Sequence, residues 1–194
     1  MENHAVPTIA VAQPARSTEW IKQAALVVGA SWFVAACAHI TVPLPFTPVP
    51  LTLQNWGVLV VGLALGSRRG FAALALYLVE GACGLPVFNP TGPGGLLQLL
   101  GPTGGYLMVY PMVAAVAGLV MERGAATFAR AAIAGLLGEI VLFAGGLGWL
   151  FVLTHSFSTT ILYGLYAFIF GEIIKVLLAA AVGSRMRRTS KVQS

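Results

Sequence analysis

The sequence predicts an all-α fold: a polytopic membrane protein, a bundle of six transmembrane helices with Gly/Pro-rich outer loops and both termini cytoplasmic. Three observations predict it. Of 194 residues, 58% are hydrophobic and only 9% are charged, against about 25% charged in a soluble domain. The mean hydropathy is +0.87. The few charges are also placed in a pattern. Residues 23–67, 81–121 and 140–171 contain no Lys, Arg, Asp or Glu, while basic residues mark every second connection between apolar runs. This is the positive-inside pattern of an even number of spans. A water-soluble enzyme, a disordered chain and a nucleic-acid binder are all excluded by a surface that cannot be covered with charge.

The first ~19 residues hold Glu2, Pro7, Pro14 and Glu19 and no apolar core, which predicts a cytoplasmic tail over 1–19 and not a signal peptide. A membrane-embedded domain follows over 20–185, and a basic cytoplasmic tail over 186–194. Span 1 is expected from Ile21 to His39, enough for ~28 Å at ~1.5 Å per residue. The next stretch carries Pro43, Pro45, Pro48 and Pro50. Each lacks an amide donor and fixes φ, so no regular helix forms there. Unpaired backbone cannot face lipid, which sends this loop to the outer surface or into the protein.

Spans 2 and 3 are expected at Leu51–Gly66 and Gly70–Leu85, both short for a bilayer core. Gly62, Gly66 and Gly70 recur every four residues and predict a bare helix face for close packing. Residues 84–105 are uncharged and rich in Gly and Pro, yet include Val87-Phe88 and the run Leu96-Leu97-Gln98-Leu99-Leu100. A loop this long and apolar is expected to fold back over the bundle as a cap. Span 4 is expected at Gly105–Met121. Span 5 is expected at Ala129–Leu153, with a tilt or kink at Gly145-Gly146. The last apolar stretch runs from Thr159 to Gly183. A break at Gly171 would place Glu172 in the first turn of a shorter final helix, where a carboxylate suits the helix dipole.

Four charges lie in apolar surroundings: Glu80, Glu139, Glu172 and Lys175. Each costs about 2.5–3.5 kcal/mol at a helix centre even on a lenient insertion scale, so each needs a reason to be there. Glu172 and Lys175 are three apart and share a helix face. They either pair to hold the bundle together or offer an acceptor and a cationic donor to a polar ligand. Glu80 lies near the outer end of span 3, where it is solvated. Glu139 lies about two turns into span 5, to pair across helices or be protonated. Gln54, Asn89 and Thr103 are uncharged hydrogen-bonders in or beside the outer loops; for Asn89 and Thr103, turn formation next to Pro is the alternative. Gly104 and Gly105 expose backbone amides for a small polar ligand or simply let the chain turn. Tyr106 and Tyr110 share a face, to stack on a bicyclic ligand or join an aromatic belt. Cys37 and Cys83 read as small buried hydrophobes. His4, His39 and His155 suggest no metal site. No P-loop, H-E-x-x-H or G-x-S-x-G sequence occurs, so the chain reads as a binding or transport subunit and not an enzyme.

The run Val42-Pro43-Leu44-Pro45-Phe46-Thr47-Pro48-Val49-Pro50-Leu51-Thr52-Leu53-Gln54 resembles the opening signature of the BioY family, the biotin-specific substrate-binding (S) components of energy-coupling factor transporters. The resemblance continues through Gly66, Gly84-Leu85-Pro86-Val87-Phe88 and Gly101-Pro102-Thr103-Gly104-Gly105-Tyr106. It ends at Gly171-Glu172-Ile173-Ile174-Lys175, similar to a family G-D-x-x-K pattern, and so covers about residues 20–185. It implies six membrane helices and high-affinity biotin capture in an outward-facing pocket that draws on Asn89, Glu172 and Lys175. Phe88 and Tyr106 would cover the apolar ring of biotin. Lys175 would donate to either the ureido oxygen or the carboxylate.

The resemblance also implies partners: a transmembrane coupling (T) subunit and two ABC-type ATPases. ATP hydrolysis is then expected in the partners, with no cofactor in this chain, and the location is a bacterial cytoplasmic (inner) membrane. Two departures stand out. Glu172 is one methylene longer than the usual Asp. The A-x-x-x-A docking pattern of the first helix is replaced by Ala25/Gly29 and Ser31/Ala35 at the same small-residue spacing. The alternatives are an S component for another small vitamin, or a structural membrane protein that transports nothing.

Overall fold

In the computed structural model, which describes residues 16–192, the chain is mostly helical. Helix α1 spans Arg16–His39, and its apolar part begins at Glu19. A two-residue strand β1, Thr41–Val42, then pairs antiparallel with β2, Leu51–Thr52, with Thr41 opposite Thr52 and Val42 opposite Leu51. The proline-rich stretch is therefore the loop of a hairpin. Its Thr47 hydroxyl donates to the Tyr163 carbonyl (2.9 Å) and accepts from the Val49 amide (3.2 Å), which pins the loop to the far end of the chain. Because β2 takes Leu51–Thr52, α2 begins at Gln54 and not at Leu51, and runs to Leu65.

Gly66, at φ +86°, ends α2, and α3 follows at once over Ser67–Ala82. Gly62, Gly66 and Gly70 thus lie on two helices and the turn between them, not on one face. The close approach is nonetheless present. A Cβ on Gly62 would lie 2.5 Å from the Ala114 carbonyl oxygen, and one on Gly70 would lie 3.2 Å from the Gly62 Cα.

Residues 84–105 fold over the helices. They contain one short helix, α4 (Gly95–Leu100), reached through Gly94 and Gly95 at positive φ. Two bonds hold the cap down. Tyr77 on α3 donates its hydroxyl to the Val87 carbonyl (2.9 Å), and Trp149 donates Nε1 to the Gly101 carbonyl (2.9 Å). Helix α4 buries Gln98 and turns Leu96, Leu97 and Leu100 outward, the reverse of an amphipathic helix in water.

Span 4 is two helices, α5 (Gly104–Met108) and α6 (Tyr110–Glu122), joined at Val109. The break falls there because Pro111 has no amide for the carbonyl one turn back. Helix α7, Phe128–Thr154, is uninterrupted through Gly145-Gly146. It starts on the Thr127 hydroxyl, which accepts from the Arg130 amide, and ends at His155 with φ 51°. Helix α8 (Phe157–Ile161) passes into one wide turn of π-helix over 162–166, and α9 begins at Ile169 and runs to Val192. The break thus falls at Ala167-Phe168, ahead of Gly171. Glu172 is in the first turn of α9.

Among the described residues, three apolar helical stretches are long enough to cross a membrane: 19–39, 128–154 and 157–187. Helix α2 packs on α9, α6 and α1; α3 on α6 and α1; α7 on α6, α9 and α5. At one end of this assembly the Ser67 amide and hydroxyl both donate to the Glu122 carboxylate (2.7 and 2.8 Å), and Arg187 reaches the Leu63 carbonyl (3.3 Å). The turns that carry Arg68, Arg69 and Arg123 meet at this end, and the hairpin and cap lie at the other.

Candidate functional site

Under the hairpin loop and the cap lies a pocket with about 520 Å³ of empty space, part of it open to solvent. Six parts of the chain supply its walls. The hairpin gives Val49, Pro50 and Thr52; the start of α2 gives Gln54 and Asn55; the cap gives Asn89 and Thr103. Tyr106, Leu107 and Tyr110 come from α5 and α6. Leu142 and Phe143 come from α7, and Phe168, Glu172 and Lys175 from the head of α9.

The polar groups converge on Glu172. Its Oε1 accepts from Lys175 Nζ at 2.7 Å and its Oε2 from Asn55 Nδ2 at 2.6 Å. The same Asn55 nitrogen also donates to Glu139 Oε1 at 2.6 Å. All four residues are buried, at 4–8% exposure. Helix α9 makes this possible by starting where it does. Glu172 lies in its first turn, where a carboxylate sits at the positive end of the helix dipole. Lys175, one turn on, folds back to it.

Several polar atoms have no protein partner among the described residues. Lys175 spends one of its three donors on Glu172. Asn55 Oδ1 is buried and unpartnered. Asn89 uses Oδ1 to accept from the Thr91 amide and hydroxyl (3.2 and 2.6 Å), which leaves Nδ2 without a hydrogen bond. The pocket therefore offers donors from Lys175 and Asn89 and an acceptor from Asn55, between walls of Tyr, Phe and Leu. That set suits a ligand with N–H and C=O or carboxylate groups on an apolar frame.

Of the sequence-predicted residues, Gln54, Asn89, Thr103, Tyr106, Glu172 and Lys175 come together in this one pocket, and Tyr110 joins them. Gln54 donates Nε2 to the Tyr77 hydroxyl (2.8 Å), so it also links the pocket to the cap. Tyr106 donates to the Gly164 carbonyl (2.9 Å) and sets its ring edge-on to Phe143. Gly104 and Gly105 do not line the pocket. A Cβ on Gly104 would strike the Leu99 carbonyl and one on Gly105 would strike Trp149, so their place is in packing. Phe88 packs edge-on against Tyr77, over Gly81, outside the pocket.

Glu80 remains half-exposed, and it takes hydrogen bonds from Ser31 and from Trp32 Nε1 (3.3 Å), clasping α3 to α1. Glu139 pairs across helices through Asn55. Cys37 is buried, but Cys83 is exposed. Ala25 and Gly29 are exposed along a groove between α1, α2 and α9; Ser31 is buried at Glu80, and Ala35 packs against the core. Sequence reasoning missed Asn55. Its signal was a second amide beside Gln54, at the head of an apolar run with no charge of its own.

Residues 8–192 match the model of the BioY family. A probable biotin transporter BioY from Pyrococcus horikoshii is 37% identical over 142 residues, which is 72% of this chain and 82% of that protein. The biotin transporter BioY of Thermotoga maritima is 34% identical over 164 residues, 84% of this chain and 90% of that one. Among solved structures, the crystal structure of the S-component for biotin from an ECF-type ABC transporter superposes with a TM-score of 0.79 at 26% identity. It covers 90% of this chain and 95% of that chain.

Proposed function

The chain belongs to the BioY family, and from that membership and the pocket we infer that it is the biotin-specific S component of an energy-coupling factor transporter. It is a transport component and not an enzyme. It lies in the bacterial cytoplasmic membrane as a multi-pass protein and captures biotin with high affinity for uptake. The observation that carries this is the buried Asn55–Glu172–Lys175 set in a mostly apolar pocket. Biotin brings a ureido group with two N–H donors and a carbonyl, an apolar bicyclic frame and a carboxylate. Each finds a complement here: acceptors at Glu172 and Asn55, donors at Lys175 and Asn89, and ring faces at Tyr106, Tyr110, Phe143 and Phe168.

In this reading the membrane is crossed six times, by α1, α2, α3, α5 with α6, α7, and α8 with α9. The end with Arg68, Arg69, Arg123 and Arg187 faces the cytoplasm with both termini, as the positive-inside rule requires. Residues 20–185 are the substrate-binding domain, between tails at 1–19 and 186–194. Residues 1–15 and 193–194 of the tails lie outside the described residues.

The partners are a transmembrane T subunit and two ABC-type ATPases, which supply the ATP hydrolysis. The likeness to an S-component of an ECF-type ABC transporter supports this. The T subunit docks in the groove of α1, α2 and α9, where Ala25, Gly29 and Ala30 leave room between Phe33, Trp56 and Met186. Small residues let a partner helix approach closely, and Trp56 Nε1 has no partner on its own chain among the described residues.

Equilibrium binding of biotin to the purified protein in detergent tests the function. Saturable, tight binding that raises the thermal midpoint is expected. Folded protein that ignores biotin at micromolar concentration, or prefers another vitamin in competition, overturns it.

A further inference from the structure

We propose that Glu139 is a positioning residue for ligand recognition: it holds the Asn55 amide in the one orientation that leaves Oδ1 as a pocket acceptor for a ligand N–H. The inference rests on the reading of the pocket as a biotin site.

Asn55 stands between two carboxyl groups, Glu139 Oε1 and Glu172 Oε2, each 2.6 Å from its Nδ2. An amide nitrogen carries two hydrogens, one for each carboxylate. The flipped amide would set Oδ1 against both oxygens, and at this distance that needs a proton on each carboxyl group. Both N–H groups are therefore committed, and Oδ1 is left buried with no partner, on a side chain that lines the pocket. A buried acceptor without a donor is costly unless a ligand supplies one.

Glu139 itself makes no wall of the pocket. Among the described residues it has no cation within ion-pair distance, and its one bond is to Asn55. Glu172 alone would hold the amide by one N–H and leave the second unpaired. Glu139 takes the second and doubles the opposition to a flip. It thereby fixes the sign of the hydrogen bond that Asn55 makes in the pocket, and so selects ligands with a donor there.

The test is a double-mutant cycle in biotin affinity on the intact purified chain, with the apo thermal midpoint measured alongside. Glu139→Leu is expected to weaken biotin binding about tenfold, the loss of one buried hydrogen bond. Glu139→Gln keeps an acceptor at the same place and is expected to recover most of that loss. In an Asn55→Ala background, Glu139→Leu is expected to weaken binding no further, because its effect runs through Asn55. If Glu139→Leu does not fold, Glu139→Ala runs the same cycle.

Losses that simply add in the double variant, wild-type affinity in Glu139→Leu, or a Glu139→Gln as weak as Glu139→Leu would each overturn the proposal. Any of these outcomes leaves the biotin reading standing. Failure of the unsubstituted chain to bind biotin overturns both.

Discussion

Glu172 and Lys175 lie 2.7 Å apart across one turn of α9, with side chains only 9% and 10% exposed. A pair this buried contributes little net stability while it is intact, because desolvation offsets the attraction, but removing one partner strands the other charge at a cost of about 3–5 kcal/mol. Lys175→Met is therefore expected to lower the thermal midpoint of the apo protein and to abolish tight biotin binding. Adding Glu172→Gln removes the stranded charge, so the double variant is expected to regain the midpoint but not the affinity. If it regains both, the pair is a strut and not a ligand site.

Asn89 separates its two roles by atom. Oδ1 closes a turn onto Thr91, while Nδ2 is the group left for a ligand. Asn89→Asp keeps the turn acceptor and replaces the donor. Its thermal midpoint is expected to stay near wild type while biotin affinity falls by about tenfold or more. Asn89→Ala loses the turn as well and is expected to lower both. Wild-type affinity in Asn89→Asp would remove Nδ2 from the site.

The scarcity of charge made half of this site legible in advance. Four charges in apolar surroundings could be listed from the sequence, and two of them, Glu172 and Lys175, line the pocket. Asn55 was missed although its neighbour Gln54 was singled out: Gln54 ends the proline-rich signature, while Asn55 lies one residue beyond it. Glycine misled for a different reason. Gly145-Gly146 read as a kink, but a sequence does not distinguish a residue that bends from one that makes room. The break before α9 fell at Ala167-Phe168, with no proline or charge to mark it. The break at Val109 was marked by Pro111, and the rule that prolines stop helices applied there as it did in the hairpin loop.

Gly146 shows what making room means. A Cβ there would lie 2.1 Å from the Tyr106 ring, and Tyr106 is a wall of the pocket. Gly146→Ala is expected to destabilise by about 1–3 kcal/mol through overpacking and to weaken biotin binding as the ring shifts. Gly148, on the same helix, has nothing within 4 Å. Gly148→Ala is expected to raise the midpoint slightly, since alanine favours a helix by about 1 kcal/mol over glycine. Melting curves with and without biotin check both; equal effects at the two positions would refute the role given to Gly146.

Gly29 tests the docking groove apart from the pocket. No residue is shared between the linings of the two, and a Cβ at 29 meets nothing within 4 Å, so a larger side chain there fills the groove without disturbing the fold. Gly29→Leu is expected to bind biotin as tightly as wild type and to melt at the same temperature. It is also expected to co-purify poorly with a T subunit and to lose most ATP-dependent biotin uptake in cells, because a leucine at the floor of the groove holds the partner helix away. Uptake and co-purification at wild-type levels would move the docking surface elsewhere on the protein. A loss of biotin binding would show instead that the groove and the pocket are coupled through α2 and α9, the helices that line both.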